Sequence, residues 1–312
     1  MRFLINIAVV ALAVLGTAQV QAQWPQTTSP GNCGFWAEAN GAVYDRPGTD
    51  LGLSLIFDSV TLAPLYTSDD VTDLNTTVGA DFRFGNNSHW FGPWEFGGSL
   101  ATWDTHATVE GANLESPFFP GFSPDRVDFF NQSQFYDLEF NLRRAFAPGF
   151  TFLYGIRYLD LSDKLQYVSQ TDFGIIDFFT NDVIETSNSA IGGQVGLEYN
   201  MPLAQTVYVQ GFIKVAGLGN ATKVDRISST TLDSEISSRD TKGIGTFMGQ
   251  TGGRIYFELL PRHLHTYAGY EATWIDGVAV APPQFLSTGT EPVVTANTIF
   301  WHAITFGMRY QF

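Results

Sequence analysis

From residue 74 onward the chain alternates apolar and polar side chains with a period of two. Over 74–85, Leu74, Thr76, Val78, Ala80, Phe82 and Phe84 fall on one face, and Asn75, Thr77, Gly79, Asp81, Arg83 and Gly85 on the other. This is the signature of a β-strand with two unlike faces. The beat returns at Tyr136, Leu138, Phe140 and Leu142 against Asp137, Glu139, Asn141 and Arg143, and at Phe152, Tyr154, Ile156 and Tyr158 against Leu153, Gly155, Arg157 and Leu159. It predicts ten strands, at 34–45, 74–86, 90–103, 132–144, 150–163, 188–200, 206–219, 243–258, 264–275 and 297–312. Most are longer than the usual five or six residues of a soluble strand and match the nine to eleven that a tilted membrane strand needs.

The connections alternate. Those at 46–73, 104–131, 164–187, 220–242 and 276–296 are long, and those at 87–89, 145–149, 201–205 and 259–263 are short. Long outer loops and short periplasmic turns are the layout of a transmembrane antiparallel up-and-down β-barrel. The expectation is therefore an all-β, single-domain barrel of about ten strands over 34–312, with both ends of the barrel chain on the periplasmic side. Twelve strands are possible if residues from Leu53 to Phe57 begin a further hairpin. Aromatic residues gather near strand ends, Trp90, Phe91 and Trp94 toward one interface and Trp103, Trp274 and Trp301 toward the other, as interfacial belts require.

Composition narrows the class. Among 312 residues, 15% are charged and 15% aromatic, with 27 Phe and 31 Gly. Zero mean hydropathy argues against a helical membrane protein and against a disordered tail. The net charge of −15 argues against nucleic acid bound through its phosphates. One cysteine, Cys33, excludes an internal disulfide framework or a Cys-built zinc site. At the start, a basic Met1-Arg2, an apolar run from Phe3 to Leu15 and a small-x-small site at Val20-Gln21-Ala22 read as an export signal over 1–22. A short periplasmic segment, 23–33, would then precede the barrel.

The segment Gly155-Ile156-Arg157-Tyr158-Leu159-Asp160-Leu161-Ser162-Asp163-Lys164-Leu165 is similar to one in the bacterial outer-membrane β-barrel porin families. The early Trp36-Ala37-Glu38-Ala39 and the final Phe306-Gly307-Met308-Arg309-Tyr310-Gln311-Phe312 fit the same resemblance. It implies an outer-membrane location, reached through the cleaved signal, and a pore role, and it supplies no catalytic residues. The final strand, with Phe306, Met308, Tyr310 and Phe312 on one face, resembles the sorting signal of such barrels. Ten strands are few beside the large trimeric porins, which puts an open diffusion channel in question.

Parity assigns Asp81, Arg83, Glu95, Asp137, Glu139, Arg143, Arg157, Glu198, Lys214, Arg254, Glu258, Glu271 and Arg309 to the lumen. Such groups need water or one another. Either they line a narrow pore and set its ion preference, or they pair across a filled barrel. Eight-stranded barrels are filled by side chains and sixteen-stranded ones hold water. The long connections carry 20 acidic and 7 basic residues, and an acidic mouth attracts cations. The favoured function is a porin-like passive channel for ions or small solutes. The alternative is a structural or surface-interaction barrel with a filled lumen.

Chemistry-bearing motifs are sparse. Asp104-Thr105-His106 resembles the Asp-x-His of omptin-type outer-membrane proteases, with Asp69 and Asp70 as the only acidic pair to set against it; a loop histidine in an acidic segment is the plainer reading. Gly97-Gly98-Ser99-Leu100-Ala101 lacks the last glycine of a lipase elbow. Asp69, Asp70 and Asp73 have no calcium-loop spacing. His263 and His265 flank a tight turn with no third ligand. No enzyme activity, cofactor or resident metal is expected. The expected partners are outer-membrane lipids, the barrel assembly machinery and ions or small solutes; nucleic acid is not among them, and the sequence leaves oligomerisation open.

Overall fold

The computed structural model describes residues 34–47, 54–58, 61, 64–67, 74, 76–87, 92–111, 114–115, 124–172, 177–231, 235–261, 263–285 and 297–312. The export signal and lead-in expected over 1–33, with Cys33, lie outside these residues, as do Asp69, Asp70, Asp73, Trp90 and Phe91. The strands are β1 (Phe35–Asp45), β2 (Ser54–Asp58), β3 (Pro64–Thr67), β4 (Thr76–Asn86), β5 (Trp94–Glu110), β6 (Leu114–Glu115), β7 (Arg126–Ala147), β8 (Phe150–Asp172), β9 (Asp177–Ala204), β10 (Val207–Thr230), β11 (Ile236–Leu260), β12 (Leu264–Val278) and β13 (Asn297–Gln311). Among the described residues one short helix, α1 (Ala281–Phe285), lies between β12 and β13.

Ten of the strands form one closed antiparallel barrel in the order β1-β13-β12-β11-β10-β9-β8-β7-β5-β4. Closure joins the first strand to the last: Asn40 pairs with Gly307 of β13 on one side and with Asp81 of β4 on the other. A closed ring leaves no unpaired edge, the condition under which β-strands can cross a bilayer. The count of ten thus follows the alternation. The possible extra hairpin exists but lies off the barrel: β2 pairs with β3 and with β6 in a separate three-stranded sheet.

The exterior of the lower barrel is apolar. Phe82, Phe84, Leu138, Phe140, Tyr154, Ile156, Ile191, Ile213, Phe257, Ile304, Phe306, Met308, Tyr310 and Phe312 all project outward and are exposed, as lipid-facing residues of a transmembrane barrel must. Glycines let the outer rings lie flat. A Cβ at Gly249 would collide with Trp274, and one at Gly98 would come within 2.7 Å of Phe82. A polar collar bounds this band toward the long connections. In it His302 Nε2 meets Asp45 at 3.0 Å, Thr298 donates to Asp276 at 2.8 Å, and Tyr158 and Ser189 both donate to Asp160.

Above the collar the polarity of the wall inverts. On β8 the outward positions change from Phe152, Tyr154, Ile156 and Tyr158 to Asp160, Ser162, Lys164 and Gln166. The inward ones change from Arg157 to Leu159, Leu161, Leu165 and Tyr167. The strands do not stop there. The outer connections expected at 104–131, 164–187 and 220–242 are largely strand: β5 and β7 pair up to Glu110 and Arg126, β8 and β9 up to Asp172 and Asp177, and β10 and β11 up to Ser228 and Ile236. Residues 177–189 alone carry the wall roughly 30 Å beyond the collar at ~3.3 Å per residue and ~40° tilt. On the opposite side β1, β4, β12 and β13 end near the collar, so the rim is oblique.

Two expected interfacial tryptophans are corrected. Trp103 and Trp301 are buried in the lumen, because their positions share the parity of Ser99 and Thr305, not of the outward residues. Trp94 and Trp274 do face outward, Trp94 packing on Phe84 and Phe140. In bilayers carrying acyl-brominated lipid, a variant retaining only Trp274 should be quenched, and variants retaining only Trp103 or Trp301 should not.

Candidate functional site: the barrel interior and its outer strap

The interior is layered. At the end near the short turns Arg309 lies over the Trp36 ring at 4.1 Å, and Tyr208 stacks on Tyr256 at 4.5 Å and meets His265 edge-on. Glu258 sits at this rim, half-buried. Arg309, which stands opposite Glu38 across the β1–β13 pair, and Glu258 thus form the rim of the lumen charges.

The next layer holds the other eleven lumen residues together, all within the membrane span. Arg143 bridges Glu95 and Glu198, the latter at 2.5 Å. Arg157 donates to Asp137 in bidentate fashion, with Nε at 2.8 Å. Lys214 Nζ reaches Glu139 at 2.6 Å and Glu95 at 3.9 Å. Arg254 joins Glu38, at 2.9 Å, to Glu271, which also lies 3.9 Å from Arg83. Asp81 accepts a hydrogen bond from Tyr44 Oη at 2.6 Å. Phe212 is ringed by Arg83, Lys214 and Arg254 at 5.5–5.9 Å. Cations over a desolvated ring face are favourable.

Glycines make this density possible. A Cβ at Gly269 would sit 2.7 Å from Arg254 Cγ, and one at Gly196 would sit 2.9 Å from Lys214 Cγ. A cavity of about 10 Å³ remains among Ser99, Asp137, Gln250, Glu271 and Thr273, roughly the room of one water.

Sequence reasoning missed several members. Glu38 accepts from Arg254, Tyr256 and Tyr267. It shares the inward parity of Trp36 and Asn40, so reading β1 as strictly as the other strands would have found it. Tyr44 and Phe212 carried no charge signal.

Above the charges lies an aromatic layer of Tyr44, Trp103, Phe135 and Trp301, with neighbouring ring centroids 5.0–6.1 Å apart. Beyond it a strap from the β12–β13 connection turns into the mouth. Gly277, with φ of +81°, takes a backbone conformation that favours glycine. Residues Val278 to Gln284 are buried. Asn188 clamps the strap from both sides, donating to Ala279 O at 2.7 Å and accepting from Ala279 N at 2.9 Å. Thr246 and Asn220 donate to Gly277 O, and Asn297 to Val278 O. At the same height Arg46 pairs with Asp163 at 3.0 Å, and both bond Ser133. An apolar cluster of Ile56, Leu114, Val127, Phe129, Leu165, Tyr167, Ile184 and Ala281 closes the top.

The Asp104-x-His106 pair does not enter this interior. Both residues are exposed and lie on the outer face of β5. His106 stacks on Phe130 at 4.3 Å and meets Asp128 at 3.4 Å. Asp128 is held below the usual aspartate range, chiefly by the hydrogen bonds it accepts from Arg126. Among the described residues no group of three or more His, Cys, Asp or Glu is placed to hold a metal ion.

No family model matches the chain, and no curated relative matches it. Solved structures similar to it are barrels of bacterial membranes. The outer membrane protease OmpT from Escherichia coli is 13% identical with a TM-score of 0.46, over 91% of this chain and 98% of that one. A major outer membrane protein from Thermus thermophilus is 10% identical with a TM-score of 0.37, over 88% and 99%. The Pseudomonas putida toluene transporter TodX is 10% identical with a TM-score of 0.29, over 89% and 90%.

The charge layer should behave as a unit. Arg254→Met leaves Glu38 and Glu271 without their nearest cation, and should cost about 3–5 kcal/mol, read as a lowered urea midpoint of the refolded barrel. Asn188→Ala strips both partners from the Ala279 peptide. Hydrogen exchange over 277–285 should rise while the lower-barrel amides stay protected.

Acid should loosen the wall first. The hydrogen bond from Arg239, aided by Lys223, holds Asp225 below the ordinary aspartate value. Its contribution is complete above the ordinary value of about 4 and is lost as pH falls through the lower folded one. Amide protection at 223–227 should be flat from pH 8 to 5 and decline below about 4.

Proposed function

We propose that this chain is a bacterial outer-membrane barrel closed along its axis, which works through the part of its wall that stands outside the membrane. The carrying observation is the filled interior: five successive layers of rings, paired charges, rings, the clamped strap and an apolar cap occupy the lumen. A barrel of ten strands is near the size at which side chains fill the bore. Ion passage would require several charge pairs to part together, each leaving a desolvated charge behind. The wall above the collar, by contrast, offers a tall, twisted, polar sheet on one side of the rim, with the acidic outer connections around it. On this reading the partners are the surrounding lipids, the machinery that inserts barrels, and a ligand met at the extracellular face. No catalytic reaction is assigned to it.

One set of observations favours the second reading, a porin-like, cation-preferring channel. Several buried polar atoms of the interior, Asn40 Oδ1, Gln250 Oε1, Thr305 Oγ1 and Trp103 Nε1, make no hydrogen bond among the described residues. Buried polar groups of this kind are normally satisfied by water. The strap would then be the gate, held by Asn188 and Asn220.

Single-channel recording in a planar bilayer under a salt gradient separates the two. The closed barrel predicts silence from inserted wild-type protein, and silence again from Asn188→Ala/Asn220→Ala. Discrete steps in wild type, with a cation-selective reversal potential, would establish the channel instead.

A further inference from the structure

The charges of the inner layer do not balance. With Glu38 included, seven carboxylates stand against five cations, and adding the rim groups Glu258 and Arg309 leaves the excess at two. Glu258 is half-buried at the rim and meets solvent there. Arg309, opposite Glu38 on the neighbouring strand, offsets one of the two surplus charges. One carboxylate therefore remains uncompensated inside the membrane span. An isolated ionised carboxylate in such surroundings is so costly that it is neutralised instead.

The ion pairs identify it. Glu38, Glu95, Asp137, Glu139, Glu198 and Glu271 each meet an arginine or a lysine. Among the described residues of the layer, Asp81 is the carboxylate that does not. It is 8% exposed, and its hydrogen-bond partner is the Tyr44 hydroxyl of β1, which donates to Oδ1 at 2.6 Å. Its cross-strand neighbours, Asn40 of β1 and Ser99 of β5, carry no charge. The charged groups that face it are Glu271 of β12, Arg254 of β11 and Arg83 of its own strand, and Asp137 of β7 lies beyond Tyr44. Arg254 is already shared between Glu38 and Glu271, and Arg83 leans to Glu271 at 3.9 Å. Glu271 itself repels a second negative charge.

One positive charge restores the balance, and it can come as a proton or as an alkali ion. Room decides between them. The cavity beside Tyr44 is about 10 Å³, space for one water. Its two carboxylates are taken, Asp137 by Arg157 and Glu271 by Arg254. Gln250 Oε1, which lines it and has no hydrogen bond among the described residues, suits a water that donates to it. A proton needs no such room. Placed on Asp81 Oδ2, it leaves Oδ1 to accept from Tyr44.

We propose that Asp81 is a proton-binding site of the bore, occupied at neutral pH, so that the side chain stands there as a neutral carboxylic acid beside Tyr44. The proton is taken up from solvent as the barrel closes around it. The inference rests on the closed-barrel reading and deepens it, because carboxylates left negative in a bore attract cations and the bound proton removes that pull.

The test uses full-length protein refolded into phosphatidylcholine vesicles at neutral pH, with infrared difference spectra of wild type against Asp81→Asn in light and heavy water. Wild type should show the carbonyl band of a protonated carboxyl, displaced to lower frequency in heavy water. The band should vanish in Asp81→Asn and persist in Glu258→Gln. Tyr44→Phe, which removes the donor to Oδ1, should keep the band and move it to higher frequency; it carries the test if Asp81→Asn does not insert. The urea midpoint of Asp81→Asn should match that of wild type, since one neutral group replaces another of the same shape.

A wild-type spectrum without the acid band would overturn the proposal, and so would a band that survives Asp81→Asn, which would place the proton on another carboxyl. A wild-type urea midpoint that rises when sodium or potassium replaces tetramethylammonium at constant ionic strength, with no acid band, would assign the charge to an alkali ion instead. Planar-bilayer recording keeps the two readings apart. A silent barrel without the band defeats only the proton site, whereas discrete conductance steps defeat the closed barrel on which it rests.

Discussion

The constraint from which the rest of this structure follows is the pairing of every backbone amide in a medium without water. A sheet meets it only by closing on itself, and β1 closes against β13 through Asn40 and Gly307. Closure turns one face of each strand to lipid and the other to a bore too narrow to stay wet throughout. The inward charges then have mostly one another. Arg254 between Glu38 and Glu271, and Arg143 between Glu95 and Glu198, are that condition made concrete. Glycines at 196 and 269 give the long cationic side chains room to lie along the wall.

Much of the architecture was legible in the sequence, because lipid demands an apolar residue at every second position and the beat is strong where lipid is present. The ten strands of the barrel are read correctly from the alternation, and most of the charges it turns inward meet in one layer. The long connections were misread for a definite reason. At the collar the requirement reverses, since water replaces lipid outside and an apolar cluster replaces the ion pairs inside. On β8 the apolar positions move from Phe152, Tyr154, Ile156 and Tyr158 to Leu159, Leu161, Leu165 and Tyr167. To a reader following apolar residues this is a phase slip that ends the strand. The backbone keeps its phase, and only the surroundings have changed.

The interior was less legible than the frame. Parity states which way a side chain points and nothing about which partner it meets across the bore. Arg46 and Asp163 are 117 positions apart in sequence and form a pair. Asn188 finds its partner in the backbone of a connection 91 positions on. No local pattern marks Asn188 as a clamp, since its two hydrogen bonds depend on where Gly277 turns the chain. Trp103 and Trp301 went wrong through the opposite bias. Tryptophan suggested an interface, but parity had already placed both inside.

The inversion at the collar gives the wall an internal gauge of height. An outward position that tolerates only apolar side chains reports lipid, and one that tolerates only polar ones reports solvent. The crossover on β8 falls between Tyr158 and Asp160. The same substitution, leucine to serine at an outward site, therefore carries opposite signs two residues apart. A survey of tolerated residues strand by strand would trace the tilt of the whole barrel in its bilayer with no bilayer present.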